Sequence, residues 1–135
     1  MARVYRTMVA AEDGLPVVGR SARALGVRTA ANLPPGGRSD VTASDPADII
    51  QPGTGGLSTA PDDPQQLPPL RRPRTMGGKS IDPVWEIDVA DLGPDLSIRL
   101  DNPGHVLIEP SRPMTLAEFE AALAATRTRW VRYTS

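Results

Sequence analysis

Between residues 32 and 73 the chain carries Pro34-Pro35-Gly36-Gly37, Asp45-Pro46 and Pro52-Gly53-Thr54-Gly55-Gly56, and this stretch limits the fold more than any other. Proline locks φ and removes a backbone donor, and glycine loses the most conformational entropy on ordering, so neither suits the interior of a helix or strand. The chain has 15 prolines and 12 glycines among 135 residues, and its aromatic residues are only Tyr5, Trp85, Phe119, Trp130 and Tyr133. A small core with long loops follows. Cysteine is absent, so no disulfide staples that core and no thiol nucleophile exists. One domain spanning 1–135 is expected at this length, with a Pro/Gly-rich loop region over 32–80. Ordered islands are expected within it around Ile49-Ile50 and Leu57–Ala60. Loops this long in a compact domain tend to carry function or to stay unfolded.

Outside that region the periodicity is mostly that of strands. Residues 2–9 alternate, with Val4 and Arg6 to one side and Tyr5 to the other. Residues 84–89 place Trp85, Ile87 and Val89 inward, and Leu96, Ile98 and Leu100 repeat the pattern. Asp101-Asn102-Pro103-Gly104 turns the chain into a further run, 105–109, and the three runs suit an antiparallel meander. Residues 19–26 fit a short helix closed by Gly26. A last helix opens with Thr115 and Glu118 in capping-box spacing. Its apolar stripe is Leu116, Phe119, Leu123 and Trp130, and Arg127, Arg129 and Arg132 suit the negative end of its dipole. Strands outnumber helices, and the helices lie at the sequence ends, so the class is α+β.

A formal net charge of -1 gives no bulk electrostatic footprint for nucleic acid. Arg71, Arg72 and Arg74 form a local basic cluster, which beside prolines usually means a solvated loop. No apolar run reaches the ~18 residues of a membrane span, and the N-terminal residues lack a signal-peptide pattern. A protein acting in a cytoplasm is expected, with export by a route needing no cleavable signal left open.

Chemistry concentrates in GHVLIEPSRPM, Gly104 to Met114. Strand alternation puts His105, Leu107 and Glu109 on one face and Val106 and Ile108 on the other. His105 is the only histidine. With no second histidine and no clustered carboxylates, zinc lacks ligands, and no metal is expected. A Ser-His-acid triad has its residue types here but no nucleophile elbow. Gly77–Ser80 reads GGKS, yet Pro73 stands where a phosphate loop needs its first glycine. Gly53–Thr59, GTGGLST, offers glycines for close backbone approach and two hydroxyls, although a Gly/Ser turn has the same composition. Arg6 suits bidentate phosphate binding if it faces a cleft, and otherwise reads as a solvated edge-strand arginine.

Together these pieces resemble the small ADP-ribosyltransferase-like toxins typified by an effector exported through type VI secretion. The matching residues are Tyr5-Arg6, Gly53–Ser58, Gly93-Pro94-Asp95-Leu96, His105, Ile108, Pro110, Pro113 and Met114. The resemblance implies a compact, split antiparallel β-sandwich like that of NAD-dependent ADP-ribosylating toxins, with a C-terminal helix. NAD is then the substrate, held by Tyr5, Arg6, Gly56, Ser58 and Thr59, with Ser58, His105 and Glu109 as the catalytic set. Glu109 has no counterpart in the family pattern and enters on its chemistry, as an acid able to stabilise an oxocarbenium ion. A cognate antitoxin or immunity protein covering the cleft, and a macromolecular acceptor, are further implications. Three alternatives stand beside this: NAD hydrolysis, a non-enzymatic module docking through the proline-rich segment 61–73, and an RNA-cleaving toxin using His105.

Overall fold

Alternating side chains and the turns between them build eight strands and one α-helix among the described residues: β1 (Arg3–Thr7), β2 (Ile49–Ile50), β3 (Leu57–Pro61), β4 (Val84–Asp88), β5 (Leu96–Asn102), β6 (His105–Pro110), β7 (Met114–Thr115), α1 (Leu116–Ala125) and β8 (Val131–Arg132). The computed structural model describes residues 2–31, 33 and 35–134.

Six strands form one antiparallel sheet in the order β5-β6-β3-β1-β4-β8, while β2 and β7 pair separately. The large sheet is two three-stranded halves with a narrow joint. β1 runs along β4 over five residue pairs from Arg3↔Asp88 to Thr7↔Val84. It meets β3 at only two, Val4↔Pro61 and Tyr5↔Ala60. This is the split arrangement expected of the α+β class, with its helix toward the C-terminus.

The main core lies on one face of the sheet. Val4, Trp85, Ile87, Leu57, Val106 and Ile108 point into it, and Leu116, Phe119 and Leu123 of α1 close it. A smaller cluster of Tyr5, Ala60, Leu67 and Val84 sits on the other face, where the Tyr5 and Tyr133 rings meet edge to face at 5.6 Å. The strand alternation in β1 and β6 is therefore as expected. The capping box also forms: the Glu118 N–H donates to Thr115 Oγ1 at 3.1 Å, and the Thr115 N–H to Glu118 Oε1 at 3.0 Å.

Three local expectations are corrected. Residues 19–26 form turns rather than a helix. The carbonyls of Ser21, Ala22 and Ala24 accept from the Arg6 guanidinium, and Arg23 is drawn into a two-pronged ion pair with Asp82. Those outside partners replace the hydrogen bonds that a helix would have made internally. The meander holds only for β5–β6, because β4 takes β1 and β8 as neighbours. β4 buries Trp85 and Ile87 on one face and Val84 on the other, and a strand buried on both faces belongs inside a sheet. Trp130 and Arg132 lie beyond α1, which stops at Ala125; Trp130 enters the core after a 3₁₀ turn at 127–129, and its Nε1 donates to Thr126 Oγ1 at 2.9 Å. The ordered islands expected at 49–50 and 57–60 do form, as strands, and β3 joins the two half-sheets.

Candidate active site

Where β1 and β3 cease to pair, a cavity of about 490 Å³ opens. Arg6 and Thr7 of β1 and Ser58 and Thr59 of β3 line it from the sheet. The β5–β6 hairpin tip, Asn102 to His105, lines another wall, and Ala22, Arg28, Asp40, Gln66, Leu67, Pro68 and Arg71 complete it from the loops. Its size falls within the range of small-molecule sites.

Arg6 sits in the opening between the half-sheets and is only 7% exposed. Nη1 donates to the Ser58 carbonyl at 2.8 Å, and Nε and Nη2 donate to Ala24 O at 3.2 and 2.8 Å. No carboxylate of the described residues bonds to it. Burial pushes the Arg6 pKa down to about 10; Asp40 pulls upward against this, while Arg71 and Arg28 lower it further. The side chain therefore remains a cation at neutral pH. β1 is an inner strand, so the solvated edge-strand arginine is replaced by a buried one.

Arg28 is clamped to Asp40 through Nε and Nη2 at 3.2 and 3.0 Å, and the hydrogen bond to Asp40 raises its pKa. With Arg71, three arginines face the cavity against one aspartate, a local positive site in a chain of net charge -1. An anion is the natural occupant of such a lining.

The two hydroxyls differ. Thr59 is buried, and its Oγ1 donates to the Val106 carbonyl at 2.9 Å, so it has only acceptor capacity left. Ser58 is half-buried and its Oγ has no partner among the described residues, which leaves it both donor and acceptor.

His105 lines the cavity, and its Nδ1 lies 2.9 Å from Asp101 Oδ2. Glu109 is placed differently. It is 4% exposed, and its Oε2 accepts from the Gly53 N–H and from Arg99 Nε, each at 3.0 Å. It lies outside the cavity lining, so Glu109 and His105 are not brought together on one substrate atom. Tyr5 packs in the small cluster, and Gly56 meets the β6 backbone rather than a ligand. A Cβ at Gly56 would stand 2.3 Å from Ile108 O. Of the residues singled out from sequence, the cavity thus gathers Arg6, Ser58, Thr59 and His105, and leaves Tyr5, Gly56 and Glu109 in supporting positions.

Sequence reasoning passed over Arg28, Asp40, Asn102 and Arg71. Arg71 carried a signal as part of the arginine cluster at 71–74, and Asn102 belonged to a recognised turn. Arg28 and Asp40 sit in irregular backbone, where no periodicity announces a pairing. In the segment 61–73, Pro64 and Leu67 are buried around a 3₁₀ turn at 64–66, while Pro68, Pro69 and Leu70 are exposed. No helix among the described residues is long and apolar enough to cross a membrane.

A mostly antiparallel sheet with one C-terminal helix is consistent with the ADP-ribosyltransferase toxin fold. The family model described as Tse2 ADP-ribosyltransferase toxin matches residues 6–132, and the chain belongs to that family. It is accordingly a bacterial toxin domain of the ADP-ribosyltransferase class, a glycosyl-transferring enzyme. Neither the characterised proteins nor the solved structures contain a match.

Proposed function

We propose that the chain cleaves the nicotinamide–ribose bond of NAD and transfers ADP-ribose to a macromolecular acceptor, with NAD seated in the cavity beside Arg6. The observation that carries this reading is the buried, carboxylate-free Arg6 at the head of a lining that also holds Arg28 and Arg71. A guanidinium without an acid partner, in a cavity of small-molecule size, suits the diphosphate of a dinucleotide. Electrostatics then orients the substrate. Positive charge grows on the ribose as its bond to nicotinamide lengthens, and a nearby cation opposes that charge. The reacting ribose therefore belongs away from Arg6, toward His105. Glu109 acts in this scheme as a brace for the hairpin rather than as a group touching substrate.

The family supports a cognate immunity protein as partner. Controlled expression of the wild type beside Ser58→Ala and His105→Ala, with cellular NAD assayed, tests the reading. Arrested growth and NAD loss in the wild type alone are expected. Label from adenine-labelled NAD should appear on macromolecules; free ADP-ribose as the only labelled product would make the protein a hydrolase instead. Normal growth with the wild type as well as both variants, at equal protein level, would reject the toxin activity proposed for this cavity.

A further inference from the structure

The hairpin that carries His105 is irregular at one place. Leu100 pairs with Val106 and Asn102 with His105, so Asp101 is the extra residue of a β-bulge and two residues stand opposite one. Pro103 and Gly104, the latter at φ +92°, close the turn. The bulge sets Asn102 on the cavity wall and leaves the Asp101 carboxylate against the imidazole, Oδ2 to Nδ1 at 2.9 Å. Behind Asp101 the contacts continue. Arg99 Nη1 lies 3.6 Å from Asp101 Oδ1, Arg99 Nε donates to Glu109 Oε2, and the Gly53 amide holds that same oxygen. The chain of contacts starts at a buried carboxylate and ends at a cavity histidine.

We infer that Asp101 is a positioning residue that fixes the tautomer of His105, making His105 the general base that deprotonates the incoming acceptor. An ionised carboxylate only accepts, so at this separation the imidazole proton sits on Nδ1 and the lone pair on Nε2, the nitrogen left for a cavity occupant. In the transfer step the acceptor X–H attacks ribose C1′. The C1′–X bond forms and the C1′–nicotinamide bond breaks. Its electron pair leaves with neutral nicotinamide, and the X–H proton passes to His105 Nε2. The inference rests on the NAD reading above and adds a base to it. Arg99 and Glu109 hold Asp101 in place, which explains why Glu109 is buried and tightly bonded without lining the cavity.

Asp101→Asn is the test, because an amide can instead donate to Nδ1 and reverse the tautomer. General bases contribute about 10²–10⁴-fold, so a kcat loss of about 10²-fold with little change in KM for NAD is expected. The double variant with His105→Ala should be no worse than His105→Ala alone. Ring ¹⁵N spectra of the ligand-free protein should show neutral His105 protonated at Nδ1 in the wild type and shifted toward Nε2 in Asp101→Asn. Asp101→Glu, which keeps an acceptor-only carboxylate, should recover part of the rate. A wild-type His105 protonated at Nε2, or an Asp101→Asn variant within about twofold of wild-type kcat, overturns the assignment. A wild-type protein that leaves NAD intact sinks the NAD reading first and the base with it, a result distinct from an active wild type that ignores Asp101.

Discussion

Arg6 and Glu109 are both charged, both nearly inaccessible, and both on inner strands, yet they meet the cost of burial in opposite ways. Glu109 is neutralised by Arg99 and further bonded by the Gly53 amide. Arg6 has no counter-ion in contact and is held by the carbonyls of Ser21, Ala22, Ala24 and Ser58. Carbonyl dipoles take up most of its donors without cancelling its charge. A charge paired inside the protein is spent on architecture; one solvated only by dipoles remains available to a ligand. The same contrast separates the two half-sheets at their joint, where β1 supplies the cation and β6 supplies the imidazole.

Substituting Arg6 should break the contrast most severely. Arg6→Gln leaves several buried carbonyls short of a donor and should cost on the order of 3 kcal/mol in a urea titration. Wild-type stability would mean that the guanidinium holds nothing together. Glu109→Gln should cost less, about 1–3 kcal/mol, since Arg99 is partly exposed and can turn to solvent. That variant, once folded, should turn NAD over more slowly because Asp101 is held less firmly; complete loss would return Glu109 to direct catalysis. Thr115→Ala removes a helix cap remote from the cavity and should cost about 1 kcal/mol with turnover unchanged. Ser58→Ala should do the reverse, leaving stability within about 0.5 kcal/mol because Oγ has no partner, while turnover collapses.

The smallest effect is on the acid side. Backbone amides hold Asp48 and Glu118 below their ordinary pKa values, and Arg127 does the same for Asp13. A depressed folded pKa means the unfolded chain binds protons first as pH falls. The stability from these groups is therefore complete above about pH 5 and is lost as pH drops through their folded values. Glu118→Gln should flatten that slope in acid titrations followed by circular dichroism.

Much of this architecture was legible because period-2 alternation survives in β1, β4 and β6, and in β5 as far as Ile98 before Leu100 turns out to solvent, and because Thr115 and Glu118 announce their helix. What misled was competition for hydrogen bonds. The carbonyls of residues 21–24 have two possible customers, their own amides or a distant guanidinium, and local propensity counts only the first. Pairing partners were hidden for a similar reason: alternation in Val84–Asp88 says that a strand forms, but not that residues 3–7 outbid 96–102 for its edge. In the site, residue type was informative and position was not. Arg6, Ser58 and His105 are polar groups whose spacing to one another follows from topology. Glu109 drew attention for its acidity, whereas Asp101, which shares Arg99 with it, looked like part of a turn.

The narrow joint between β1 and β3 has a consequence for synthesis. Strand β1 is made first and pairs only with residues 60–61 and 84–88, and the cavity it opens needs His105 as its far wall. A nascent chain therefore carries an orphan strand and no site until most of it has left the ribosome. Truncated products lack a complete cavity, and the long separation between pairing strands makes assembly slow compared with a helical protein of equal size. The cell that makes this toxin therefore meets a complete cavity only after the chain through His105 has emerged and folded.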